Sequence, residues 1–299
     1  MAKARELRRR IRSVQSTRKI TKTMEMVSTS KLKRAQDRVV GARPYAQALT
    51  EVIRSLYSPD LAERFPLLRQ AGPKGPQRVA LFLITSNRGL CGAFNANLIR
   101  EARHRLEQLE AAGVTVELHL VGKKGVNFFK FARRAAALQR IDVGDRPTAA
   151  HAVELMEPVL RRFAAAEIDA VEIVFAKFNS AVSTPATVLP VLPVTPPDPE
   201  ARGRGEAAPS RTAENFILRP SGDAILERLL PLYVHNQMFR ALVETAAAEH
   251  GARRTAMKNA TDSASDMIDV LNRTMNRARQ AQITQEIAEI VGGAEALSG

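Results

Sequence analysis

The sequence predicts an α/β fold in which two long terminal helices pair as an antiparallel coiled coil, with an α/β domain inserted between them. Three observations predict it. Helix-compatible sequence fills both ends of the chain, short apolar runs alternate with amphipathic segments only in the middle, and stretches rich in Pro and Gly separate these regions. We therefore divide the chain into an N-terminal coiled-coil helix (1–57), an inserted α/β domain (78–195), a flexible loop (196–220) and a C-terminal coiled-coil helix (221–292).

The N-terminal segment predicts one helix about 80 Å long, at 1.5 Å per residue. Apolar residues recur in alternating steps of three and four, which is the seam of a left-handed coiled coil. These are Leu32, Ala35, Val39, Ala42, Ala46, Leu49, Ile53 and Leu56. Small hydroxyl residues interrupt the seam between Thr17 and Ser30, a stutter that unwinds a supercoil locally. Two interpretations stay open: a loosely packed coil, or a segment with several faces in contact with surrounding protein.

The middle of the chain has the pattern of a buried, mostly parallel sheet covered by helices. We predict strands at residues 79–84, 114–121, 170–178 and, more weakly, 187–194, and helices at 93–112, 127–137 and 148–166. Thr148 follows a proline and is a predicted N-cap. This alternation of strand and helix is typical of a Rossmann-like layer with right-handed crossovers.

Helix resumes near Ser221, a predicted N-cap, with Asp223 in the first turn. The seam continues to residue 291, Gly251 is its weak point, and Gly292 with Gly293 is predicted to end the helix. Because the insertion returns the chain toward its start, this helix is expected to run antiparallel to the first.

The chain has 299 residues and a formal net charge of +14, and fifteen Lys or Arg against four Asp or Glu lie in residues 1–57. A helix this basic implies an acidic partner, which could be nucleic acid, anionic lipid or an acidic protein surface.

The single cysteine, Cys91, excludes an internal disulfide and fits a reducing compartment. No apolar run reaches the length of about 18 residues needed to span a bilayer. The basic pattern runs without a gap into the seam, which favours a mature cytoplasmic start over a transit peptide.

The motifs predict no catalytic, cofactor-binding or metal site. TSNRGLCG (85–92) and GKKG (122–125) follow predicted strands but lack the spacing of a phosphate-binding loop. The five histidines are scattered, without the grouping of a metal site. Cys91 has no His or Asp close in sequence and is expected to be a structural thiol.

Three separated stretches closely resemble the gamma subunit of rotary F-type ATP synthases, bacterial type. They are residues 11–32 (IRSVQSTRKITKTMEMVSTSKL), 85–95 (TSNRGLCGAFN) and 257–297 (MKNATDSASDMIDVLNRTMNRARQAQITQEIAEIVGGAEAL). They lie in both terminal helices and in the insertion, in the order that the family has. The resemblance therefore covers nearly the whole chain.

The resemblance implies the central rotor shaft of the proton-translocating synthase. Such a shaft couples rotation of the membrane c-ring to conformational change, and to ATP synthesis or hydrolysis, at three catalytic beta subunits. It implies no catalytic site and no cofactor on this chain. The implied partners are the alpha and beta subunits, the epsilon subunit and the c-ring, with neither nucleic acid nor direct insertion into the bilayer. The implied location is peripheral, at the cytoplasmic face of the bacterial plasma membrane.

The resemblance also implies contacts with the beta subunit, at Met24, Lys31, Arg100, Arg253, Arg279, Gln280, Thr284 and Glu286. At GARRTAMK the choice between Arg253 and Arg254 stays open. The hydroxyl-rich segment would then be a bearing surface, since an apolar stripe would adhere to one beta subunit. The alternative function is a basic coiled coil that binds nucleic acid or acts as a scaffold, with a Rossmann-like insertion. Nothing in the sequence assigns a role to residues 195–215.

Overall fold

The computed structural model describes residues 2–56, 64–72, 75–194 and 222–298. Helices are α1 Ala2–Leu56, α2 Phe94–Ala111, α3 Lys123–Phe131, α4 Ala149–Ala164 and α5 Gly222–Ser298, and strands are β1 Arg78–Ile84, β2 Thr115–Val121, β3 Leu138–Arg140, β4 Ala170–Ala176 and β5 Ala186–Leu192. The chain divides into two compact units. The first contains the chain up to Ser30 and from Arg253 onward, and the second contains Lys31–Ala252. The predicted flexible loop 196–220 lies outside the described residues.

Within the second unit, α1 and α5 run antiparallel. The earlier part of α1, around Leu32 and Val39, shares a hydrophobic cluster with Val243 of α5. The later part of α1, around Ile53, shares another cluster with Leu230. Since higher numbers on α1 meet lower numbers on α5, the predicted antiparallel pairing and the seam from Leu32 are confirmed.

Within the first unit, α1 and α5 meet at a hydrogen bond between the hydroxyls of Thr261 and Thr21, 2.8 Å apart. Here α5 runs through Gly292 and Gly293 to Ser298, so the prediction that this pair ends the helix is wrong. Glycine inside a helix costs about 1 kcal/mol relative to alanine, which weakens a helix without terminating it.

The insertion is a five-stranded sheet in the order β3-β2-β1-β4-β5. The first four strands are parallel, and β5 pairs with β4 in the antiparallel direction. This order confirms the Rossmann-like prediction. Strand β3 was missed, because three residues are too few to show a period. Helix α3 begins at Lys123, before its predicted start at 127, since GKKG forms its first turn and not a loop before it.

Both faces of the sheet are buried, as the continuous apolar runs of β1 and β4 predict. On β1, Phe82 packs in one cluster with Phe163 of α4, and its neighbour Leu83 packs in the other with Leu98 of α2. Thr148 caps α4 as predicted, because its hydroxyl accepts a hydrogen bond from the His151 backbone N–H. Among the described helices, none is long and apolar enough to cross a membrane.

Candidate functional site

The two glycine-containing loops that resemble phosphate-binding motifs bind each other. Helix α3 starts with four backbone N–H groups that have no acceptor inside the helix, the feature that commonly binds a phosphate. Here all four donate to protein oxygens. The N–H groups of Gly122, Lys123, Lys124 and Gly125 donate to the carbonyl of Arg140, Asn87 Oδ1, the carbonyl of Ser86 and Thr85 Oγ1, at 2.8, 2.8, 3.1 and 2.9 Å. None of these four donors remains available to a nucleotide.

Gly122 is required at this junction. Its φ is +99°, and a Cβ at this position would lie 2.1 Å from the carbonyl oxygen of Thr85. Cys91 is buried, and its sulfur accepts a hydrogen bond from Asn95 Nδ2 at 3.2 Å. The thiol is thus part of the turn that connects β1 to α2, as expected for a structural cysteine.

Helix α5 bonds to the chain at one side of the usual ligand position of this sheet order. In doubly wound sheets, ligands bind beyond the carboxyl ends of the strands where the order reverses, here between β1 and β4. The segment that follows β4 contacts α5 instead, because the N–H of Phe178 donates to Glu244 Oε2 at 3.0 Å. Across the described residues, no three His, Cys, Asp or Glu side chains form a group that could hold a metal ion.

Helix α5 brings four of the predicted partner contacts together near its end, at Arg279, Gln280, Thr284 and Glu286. All four are exposed. Arg279 and Glu286 are seven positions apart, so both lie on one face, and Gln280 lies near Thr284 on the adjacent face. The Thr284 hydroxyl donates to the Gln280 carbonyl at 3.0 Å, and Glu286 accepts from Gln282 at 2.8 Å.

The other four predicted contacts differ in accessibility. Arg100 is exposed and donates to Asn97 Oδ1 at 2.7 Å, and Met24 is half-buried. The side chain of Lys31 is 33% exposed, and its amine binds Asp145 Oδ2 at 2.5 Å. Arg253 is buried.

Arg254 is exposed, whereas Arg253 beside it is only 8% exposed. Accessibility therefore distinguishes the two arginines that the sequence left as alternatives, and it favours Arg254 for contact with a partner.

Sequence reasoning missed a basic groove in the first unit. Its cavity has a volume of about 490 Å³, within the range of small-ligand pockets. Its lining is Gln15, Arg18, Lys19, Lys22, Thr23, Thr261 and Ser265. Within the described part of the chain, neither Arg18 nor Lys19 has an ion-pair partner. The groove was not recognisable in the sequence, since its two walls are about 240 residues apart.

The end of α5 presents an exposed apolar stripe. Every residue from 283 to 294 is exposed. Ile283, Ile287 and Ile290 recur at steps of four and three, which places them on one face of the helix. An apolar face of this kind is usually covered by another protein.

Comparison with known proteins identifies the family. A family model described as ATP synthase matches residues 3–297. The ATP synthase gamma chain of Gemmatimonas aurantiaca is 61% identical over 299 residues, covering 100% of both chains. The chain belongs to the gamma-chain family of ATP synthases. The gamma chain of Leptospira biflexa strain Patoc 1 is 43% identical over 298 residues and is likewise covered completely.

Solved structures show the same fold. A chain of the rotor of Euglena gracilis mitochondrial ATP synthase matches with a TM-score of 0.63 at 20% identity, covering 94% of this gamma chain and 99% of its own length. A second, from the OSCP/F1/c-ring part of that synthase, matches with a TM-score of 0.65 at 20% identity, covering 99% and 95%. The predicted family and fold class are both confirmed.

Proposed function

We propose that this gamma chain is the central rotor shaft of a proton-translocating ATP synthase. It couples rotation of the membrane c-ring to conformational change, and to ATP synthesis or hydrolysis, at three catalytic beta subunits. The observation that carries the proposal is the full-length relationship to gamma chains, since 61% identity extends over both terminal helices and the insertion. The same relationship disfavours the nucleic-acid-binding alternative.

The proposed partners are the alpha and beta subunits around the paired helices, and the epsilon subunit and c-ring at the insertion. Exposed side chains in the first unit support an enclosing sleeve of other subunits. They include the exposed cations Arg18 and Lys19 and the apolar stripe that begins at Ile283. We place the complex at the cytoplasmic face of the bacterial plasma membrane, with this chain as a peripheral subunit.

We propose beta-subunit contacts at Met24, Lys31, Arg100, Arg279, Gln280, Thr284 and Glu286. The family resemblance implies a further contact at Arg253 or at its neighbour Arg254. Exposure supports the four residues on the end of α5. Lys31 already binds Asp145 within the chain, so contact with a beta subunit requires it to share or leave that carboxylate. Arg254 is the accessible member of its pair, and we propose it as the contact in place of buried Arg253.

Reconstitution tests the proposal. Alpha and beta subunits are mixed with and without this chain, and ATP hydrolysis is measured. Stimulation by the chain is expected, and its absence would overturn the proposed function.

Rotation itself can be observed by replacing Val182 with cysteine to attach a bead. Val182 is 90% exposed and lies on the insertion, whereas native Cys91 is only 3% exposed and is poorly accessible to the label. ATP should then drive rotation in three steps per turn when the alpha and beta subunits are fixed to a surface. A complex that hydrolyses ATP while its bead never turns would contradict the proposal that this chain is the rotor shaft.

A further inference from the structure

We propose that a polar seam, defined as Lys31, Asp145, Glu244 and Thr245, fixes the insertion to both long helices. Through it, torque passes between the insertion and those helices. The inference rests on the proposed rotor function and assigns the path through which that rotor is driven. All four residues lie in the second unit.

The first half of the seam is at the end of β4. The N–H of Ala176 donates to Thr245 Oγ1 at 3.3 Å, and the N–H of Phe178 donates to Glu244 Oε2 at 3.0 Å. Both acceptors belong to α5 and are buried. Helix α5 is therefore bonded to the carboxyl end of β4, at one side of the crevice in which this sheet order normally binds a ligand.

Glu244 is oriented from two directions. Its side chain is 5% exposed, and Arg240 Nε on the same helix donates to its other oxygen, Oε1, at 2.7 Å. A buried carboxylate is stable only when it is paired and hydrogen-bonded, and hydrogen bonds to a charged group are the stronger kind. The carboxylate thus has one partner on the shaft and one on the insertion.

The second half of the seam involves both helices. Asp145, in the loop before α4, accepts from Lys31 of α1 at 2.5 Å, and its Oδ2 lies 3.7 Å from Nε2 of buried His250 on α5. Nearby, a Cβ on Gly251 would lie 3.1 Å from the carbonyl of Ala181. The insertion is held against α1 and α5 at separate points, with little room for movement at Gly251.

Directional bonds matter here because apolar contacts alone do not fix the position of the insertion along α5. Val243 and Ala247 of α5 pack in the same cluster as the sheet, which keeps the insertion attached. The hydrophobic effect is non-directional, so such a contact can slide under shear. Hydrogen bonds from backbone N–H groups hold one position, and α5 continues from this point without a break to Ser298.

Two substitutions with matched controls test the seam. Thr245→Val removes the acceptor of the Ala176 N–H while keeping the shape of the side chain, and Thr245→Ser restores a hydroxyl. The control is Thr274→Val on the same helix, where the exposed hydroxyl bonds, among the described residues, only to the Val270 carbonyl of its own turn. Asp145→Ala removes the carboxylate that binds the Lys31 amine, and Asp142→Ala, at an exposed position three residues away, is its control.

The first measurement is hydrogen exchange of the purified chain. The amide of Ala176 should exchange about ten-fold faster in Thr245→Val, because it loses its partner, and at the parent rate in Thr245→Ser and Thr274→Val. Unchanged exchange in Thr245→Val would overturn the assigned bond. This measurement is independent of any role in ATP synthesis.

The second measurement is made on the complete synthase in vesicles, as protons pumped per ATP hydrolysed. Thr245→Val and Asp145→Ala should lower this ratio while ATP hydrolysis continues, with Thr245→Ser near the parent and both controls unchanged. Faster exchange with an unchanged ratio in both variants would overturn the torque path. Failure of the parent chain to stimulate hydrolysis would instead overturn the proposed function.

Discussion

Thr85 joins the ends of two parallel strands through one hydroxyl. The hydroxyl lies 3.1 Å from the Val121 carbonyl, to which it donates, and it accepts from the Gly125 N–H at 2.9 Å, in a buried position. Thr85→Val should lower the free energy of unfolding by about 1–3 kcal/mol, since it leaves the buried Gly125 N–H without its acceptor. Urea denaturation of the purified chain measures this. Thr274→Val, at an exposed site, should change it by less than about 0.5 kcal/mol.

His119 predicts a pH dependence of stability. Burial lowers its pKa to about 4 from the usual 6.5, although the Glu117 carboxylate acts in the opposite direction. Its ring stacks on Phe82 with centroids 4.5 Å apart. Because the pKa of His119 is lower in the folded than in the unfolded state, protonation of this side chain favours unfolding. The stability that the neutral ring contributes is therefore fully present above pH 6.5 and is lost as the pH falls toward 4. The difference corresponds to about 3 kcal/mol of unfolding free energy.

His119→Phe keeps an aromatic ring against Phe82 and removes the titrating group. Denaturation at pH 7 and pH 4 should therefore show a smaller loss of stability in the variant than in the parent. Equal losses would show that protonation of His119 does not drive acid destabilisation.

At the scale of elements, the hydroxyl-rich part of α1 has two kinds of residue. Thr17 and Thr23 are exposed, and each donates to the carbonyl four residues earlier. Thr21 and Ser28 are buried, and Thr21 contacts the hydroxyl of Thr261. Only the exposed residues can form the bearing surface that the sequence suggested, while Thr21 belongs to the packing between the helices.

Thr23→Leu and Thr21→Leu separate these roles. Thr23→Leu adds an apolar side chain to the outer surface, so we expect slower rotation in a single-molecule assay at nearly unchanged stability. Thr21→Leu places a larger side chain in the buried contact, which should lower stability by about 1–3 kcal/mol. Parent-like rotation of Thr23→Leu would contradict the bearing hypothesis.

Helices and strands were predictable where the sequence carries a clear local signal, such as a continuous apolar run or a capping residue. The continuous apolar runs that became β1 and β4 located the sheet core, and Thr148 identified the start of α4. The start of α3 could not be read from GKKG, since two lysines between glycines look like a solvated turn. The acceptors of the first backbone N–H groups of α3, such as Thr85 Oγ1, lie up to 40 residues away in the chain.

At the scale of the whole molecule, the family motifs pointed to the function, but the contacts that hold the insertion were not predictable. Lys31 and Asp145 are 114 residues apart, and neither has a local pattern that identifies the other. The same holds for Thr245 and Ala176, because a backbone donor carries no sequence signal. Sequence periodicity reports which face of a helix is buried and not which polar group it meets.

The concentration of charge in α1 predicts salt-dependent assembly. Residues 1–57 contain fifteen of the 45 Lys and Arg, and the groove in the first unit is lined by Arg18, Lys19 and Lys22. Attraction to the acidic partner that this charge implies acts over the Debye length, which falls from about 30 Å at 0.01 M salt to about 8 Å at 0.15 M. The rate of assembly with alpha and beta subunits should therefore fall across this range, as followed by the recovery of ATP hydrolysis.

Replacing the three groove cations by glutamine should flatten this salt dependence. The matched control replaces Lys123, Lys130 and Arg133, which are exposed on the insertion, and so has the same net charge. If the groove guides assembly, the control keeps the steep dependence of the parent. Equal flattening in both variants would mean that total charge, and not the groove, directs the chain to its partners.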